Sequence, residues 1–122
     1  MIKMAPLDPR NPITEQAKTD AAPIVLLNVF TIEPDAVDEY LASWKKDAEW
    51  MQKQPGYIST QLHRAVGKPT MFVNYAVWES VAHFRAAFEH PEFKESMKSY
   101  QETVTSHPHL LQKIHVEGIC VA

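Results

Sequence analysis

One cysteine, three glycines and no long apolar run occur in the 122 residues, and each scarcity removes a class of explanation. With Cys120 alone, no disulfide can form within the chain, which fits a reducing, cytoplasmic setting. Its place in an apolar tail predicts a small buried thiol rather than a nucleophile. Three glycines are too few for the loops that cradle phosphates. The chain has no phosphate-binding loop, dinucleotide fingerprint, nucleophile elbow or zincin helix, so no nucleotide cofactor is expected. No apolar stretch approaches the roughly 18 residues of a membrane span. Pro6, Asp8, Pro9, Arg10 and Pro12 break up the start of the chain, so no export signal or membrane partner is expected. Basic excess is missing as well. The net charge is -3, and Lys and Arg are scattered beside acids, as in Lys45, Lys46 and Asp47, which argues against a nucleic-acid partner.

What remains is the composition of an ordinary globular domain, with 45% hydrophobic and 22% charged residues. Residues 1–22 hold three of the nine prolines and show no periodicity. They are expected to be an extended or disordered arm that packs on a neighbour or not at all, with residues 23–122 as the domain. Ile24 to Ile32 is β-branched and apolar on both faces, as in a central strand. Asp35 and Asp38 suggest a capped helix start, followed by Val37, Tyr40, Leu41, Trp44, Ala48 and Met51 as one apolar stripe. Pro55 and Gly56 end that helix. Tyr57 to Ala65 and Met71 to Trp78 then read as a hairpin around Gly67, Lys68 and Pro69. Ser80 caps a short helix with Val81, Phe84, Ala87 and Phe88, and Pro91 opens another with Phe93, Met97 and Tyr100. Pro108 is expected to break the chain before a last strand over Leu110 to Val121, with Gly118 marking a bulge.

The order strand, helix, strand, strand, helix, strand predicts an α+β, ferredoxin-like βαββαβ domain with a four-stranded, antiparallel-type sheet. Right-handed crossovers place the first and third strands side by side, and they are expected to run parallel. Helices cover one sheet face, so strands apolar on both faces leave a second greasy surface. A twofold partner is the expected cover, giving a homodimer.

Two asparagines interrupt apolar strands: Asn28 between Leu27 and Val29, and Asn74 between Val73 and Tyr75. A buried amide without partners costs about 1–3 kcal/mol, so each must be satisfied by protein, water or ligand. Trp78, four residues after Asn74, faces the same side and brings an indole N–H on an apolar body. These residues suit either a satisfied core or a pocket for an aromatic ligand. His63 offers a base near neutral pH or an ordinary strand side chain. His107, His109 and His115 lack the carboxylate or cysteine set that would complete a metal site, so no metal is expected.

Leu-Leu-Asn-Val-Phe at 26–30, Gln-Pro-Gly-Tyr-Ile-Ser-Thr-Gln-Leu-His-Arg at 54–64, Phe-Val-Asn-Tyr-Ala-Val-Trp-Glu-Ser at 72–80, Phe84 and Pro-Glu-Phe at 91–93 together resemble the antibiotic biosynthesis monooxygenase domain family. The resemblance covers about Ile24 to Glu117. It implies a dimeric α/β barrel of ferredoxin-like subunits, several of which oxygenate aromatic polyketides to quinones with neither metal nor flavin. It also implies roles at the pocket for Asn74 and Trp78; Asn28 joins them as a catalytic candidate, and His63, Phe84, Phe72 and Tyr40 are the candidates for holding a small apolar or aromatic substrate. The family's tyrosine falls on Phe84, which has no hydroxyl, and this breaks the usual proton route. Haem-degrading relatives share the asparagine at Asn28, but their tryptophan and histidine correspond to Ala87 and Met97, so the axial ligand is missing. Three readings stay open: a cofactor-independent monooxygenase, a haem-binding or haem-degrading protein, and a non-catalytic dimeric module for a small apolar ligand.

Overall fold

The computed structural model describes residues 2–122. In chain order it contains β1 (Lys3–Met4), α1 (Ile13–Gln16), β2 (Ile24–Thr31), α2 (Val37–Met51), β3 (Tyr57–Arg64), β4 (Met71–Trp78), α3 (Val81–Phe88), α4 (Pro91–Ser96) and β5 (Thr105–Leu111). The sheet order is β1-β5-β2-β4-β3. Strands β2 to β5 with α2 to α4 make the expected α+β, ferredoxin-like unit, and β1 adds a fifth strand that runs parallel to β5, so the sheet is mixed.

The central pair is antiparallel, not parallel: β2 and β4 are in register from Ile24 opposite Trp78 to Thr31 opposite Met71. The reason lies in the connections. Helix α2 carries the chain back so that β3 repeats the direction of β2, and the tight hairpin then reverses β4 between them. Ser80 caps α3 as expected, its hydroxyl accepting the His83 N–H at 3.1 Å. Pro91 opens α4. No side chain caps α2; a single 3-10 turn at Pro34–Ala36 leads into it instead.

Residues 2–22 correct another expectation, because they pack on their own sheet. Ile2 and Ile13 are 8% and 7% exposed and belong to the core. β1 pairs with β5 at Thr105 and Ser106. Further along the same edge, the Gln16 amide donates to the Leu110 carbonyl at 2.8 Å and accepts the Leu110 N–H at 2.9 Å, as a strand backbone would. Pro108 does not break the chain; it lies in mid-strand opposite Asn28. The groups of Ser106 and Leu110 that meet the arm point away from β2, and by alternation the missing N–H of Pro108 falls on that outer side, where no ladder bond is lost. Beyond Leu111 the expected strand is absent. Residues 112–122 are exposed and hold only an isolated bridge between Val116 and Cys120, with Gly118 at φ 73° in the turn. Cys120 is therefore exposed rather than buried.

Under the helices the core divides into two clusters. One gathers Ile24, Leu26, Ala76, Trp78, Phe84 and Leu110; the other gathers Phe30, Ile32, Tyr40, Phe72, Tyr100 and Val104. Between them, on the same sheet face, lie Asn28 and Asn74. Period-two alternation puts the even residues of β2 and β4 on this face, so each strand reads apolar, polar, apolar along it.

Candidate active site

Where the two clusters separate, a cavity opens between the sheet and helices α2, α3 and α4. Its volume is about 80 Å³. Most of its wall is apolar, including Leu26, Phe30, Ala76, Phe84, Phe88 and Phe93. Such a wall suits apolar ligands and offers water few partners.

Across the floor runs one polar band, Thr60 on β3, Asn74 on β4, Asn28 on β2 and Ser106 on β5. The register sets Asn28 directly opposite Asn74. The Thr60 hydroxyl donates to Asn74 Oδ1, and the Ser106 hydroxyl donates to Asn28 Oδ1 at 2.9 Å. Each amide oxygen is thus occupied from the outer strand, and this orientation leaves the two NH2 groups as the free donors of the pair. Thr60 and Ser106 were not singled out in the sequence. Their signal was spacing: both are hydroxyl residues on flanking strands, and only the strand order brings them next to the asparagines.

Trp78 is 1% exposed and lines the same cavity, held edge-on by Tyr57 and Phe84 with ring centroids 5.8 and 6.0 Å away. Its indole N–H is buried and has no acceptor among the described residues. A buried donor left without a partner is costly, which sets this one apart among the residues that line the cavity.

Other expected site residues are distributed differently. Phe84 lines the cavity. Tyr40 and Phe72 instead pack against each other in the neighbouring cluster, with centroids 5.1 Å apart, because their strand and helix positions lie one step beyond the polar band. His63 is exposed on the opposite sheet face, since Thr60 and Leu62 occupy the inward positions of β3. Its Nδ1 lies 3.3 Å from the Val73 carbonyl oxygen. His107 Nδ1 is 2.8 Å from the Val29 carbonyl oxygen, and His109 Nε2 is 3.3 Å from the Gln16 amide.

The structure adds a residue the sequence reading passed over. Asp47 of α2 lines the cavity roof and is 8% exposed. Ser96 donates to its Oδ1 at 2.5 Å. Burial pushes the carboxyl up from its ordinary value, and the nearby Ser96 and Tyr100 hydroxyls pull part of the way back. Burial also raises the hydroxyls of Tyr40 and Tyr100, with the nearby Asp47 charge adding to it, so both stay protonated. The site therefore combines an apolar box, donors on the sheet side and one carboxylate on the helix side.

The family model for antibiotic biosynthesis monooxygenase matches residues 23–99. Deoxynogalonate monooxygenase of Streptomyces nogalater is 31% identical over 74 residues, 61% of this chain; the aligned stretch spans 62% of that relative's length. SnoaB, a cofactor-independent oxygenase from Streptomyces nogalater, superimposes with a TM-score of 0.70 at 26% identity, over 80% of this chain and 99% of that one. A protein from Shewanella loihica PV-4 does so with a TM-score of 0.67 at 29% identity, over 78% and 97%.

Proposed function

This chain belongs to the antibiotic biosynthesis monooxygenase family, and from that premise we propose that it oxygenates a small aromatic hydroxy compound or quinol of polyketide type with dioxygen, using no added cofactor. The observation that carries the proposal is the pair of adjacent amides, Asn28 and Asn74, with their oxygens held by Ser106 and Thr60 inside an apolar cavity. Two donors fixed beforehand in a water-poor space stabilise negative charge as it forms, which is what activation of oxygen by an electron-rich ring requires. The likeness to a cofactor-independent oxygenase supports the same reading.

The substrate supplies the electrons. Once deprotonated, its ring passes one electron to dioxygen, giving a ring radical and superoxide, and the two join in a new C–O bond. The amide donors of Asn28 and Asn74 and the unpartnered Trp78 N–H then hold the peroxide oxygens. A homodimer is part of the proposal. Its support is the outer sheet face, where Met71, Tyr75 and Leu111 remain 39%, 38% and 40% exposed.

Oxygen-electrode measurements with anthrones and hydroxynaphthalenes test the function. Uptake is expected, with one atom of labelled dioxygen in the product. Asn74→Ala should lower kcat by about 10²–10³-fold, the usual cost of one oxyanion donor, and Trp78→Phe should lower it less. Tight binding of these compounds with no oxygen consumption would replace the proposal with a ligand-binding module.

A further inference from the structure

We propose that Asp47 is the catalytic base of this site, taking the substrate's proton at the start of the reaction and returning it to the peroxide formed from dioxygen. This rests on the oxygenase reading above and supplies the step that reading leaves open, since Phe84 carries no hydroxyl to move a proton.

The geometry points to Asp47 for three reasons. First, along α2 the inward residues are Tyr40 and Trp44 against one core cluster and Met51 against the other, and Asp47 lies between them, in the same cavity as the asparagine band. A substrate filling the cavity is therefore held between a carboxylate on the roof and amide donors on the floor. Second, Asp47 is the only carboxylate among the residues lining that cavity, and no histidine, lysine or arginine lines it. Third, its surroundings suit a base. The Ser96 hydroxyl, donating to Oδ1 at 2.5 Å, holds the carboxylate in place. The charged and titratable groups acting on it are Tyr100 from the segment after α4 and Tyr40 from its own helix, and neither loses its proton in the working range. Burial makes it a stronger base than a free carboxylate, which favours taking a proton.

The steps balance. The acidic C–H or O–H bond of the substrate breaks, its proton goes to the Asp47 carboxylate, and the electron pair stays on the substrate. The substrate anion and dioxygen combine, as above, to a peroxide anion, which takes the proton stored on Asp47. Loss of water from the hydroperoxide cleaves the O–O bond and leaves a carbonyl. For an anthrone-type carbon, the ring methylene and one molecule of dioxygen become a ring carbonyl and one molecule of water.

The test compares wild type, Asp47→Asn and Ser96→Ala in oxygen uptake across pH, with hydroxyarenes of graded acidity. Wild-type kcat should rise with pH through the titration of one group. Asp47→Asn should keep KM nearly unchanged, lose about 10²–10⁴-fold in kcat, and lose that rising limb. Its residual rate should increase with substrate acidity, because substrates already ionised in solution need no base. Should Asp47→Asn not fold, Ser96→Ala carries the test. Ser96 does not line the cavity, and removing its hydroxyl takes away a group that stabilises the carboxylate, so the limb should move to higher pH. Wild-type activity with an unchanged rate in Asp47→Asn, or an unmoved limb in Ser96→Ala, overturns the role of Asp47 and leaves the oxygenase reading standing. A wild-type protein that consumes no oxygen with any of these compounds overturns both.

Discussion

Asp47 occupies a helix position where packing alone would place an apolar side chain, and this has a thermodynamic signature independent of any reaction. Its carboxyl is raised in the folded protein above the value of 3.8 it has when free. Between that value and the native one, the folded state holds a proton that the unfolded state releases. The contribution of this group to stability is therefore full below about pH 4 and is lost as pH rises through the native titration. Asp47→Asn does not titrate, so wild type should lose stability relative to this variant from about pH 4 upward and level off once the carboxylate is ionised. Urea unfolding of both proteins across pH measures the gap, and a gap independent of pH would mean an ordinary, hydrated carboxyl. The residue was hard to see in the sequence. Beside Lys45 and Lys46 it reads as part of a solvated charged face, although steps of four, three and four residues through Tyr40, Trp44, Asp47 and Met51 put it on the buried stripe. The asparagines were visible for the opposite reason, since a polar residue inside a β-branched run has no bland local explanation.

At the level of elements, legibility followed the range of the forces involved. Strands β2, β3 and β4 and helices α2 and α3 came through because their patterns are local. The arm did not, because its order depends on contacts with β5 some ninety residues later in the chain: Gln16 with Leu110, and β1 with Thr105 and Ser106. Pro108 was misread for a related reason. A proline ends a strand only if its missing N–H faces a partner, and which side that is depends on tertiary pairing. If the arm is integral to the fold, Ile13→Ala should cost about 2–5 kcal/mol and Gln16→Ala about 1–2 kcal/mol. Both should appear as lower urea midpoints with an unchanged slope. Wild-type midpoints for both variants would return the arm to a loosely attached segment.

For the molecule as a whole, one sheet face carries the cavity and the other carries an apolar surface that is only partly covered, with Val25 buried and Met71, Tyr75 and Leu111 exposed. Alternation along β4 turns Val73, Tyr75 and Val77 outward while Asn74, Ala76 and Trp78 face the cavity. The homodimer proposed above uses that outer surface. Sedimentation equilibrium should give twice the mass of the chain, and Tyr75→Glu should shift the balance toward single chains by at least about tenfold. A stable wild-type single chain at micromolar concentration would count against it. The border of the sheet at β5 has a separate consequence. β1, Pro108 and the Gln16 amide between them leave that side few backbone groups to offer, whereas β3 pairs only with β4. Hydrogen-bonded stacking of sheet on sheet needs two receptive rims, and this one has a single rim. Backbone pairing at that rim alone therefore joins at most two copies.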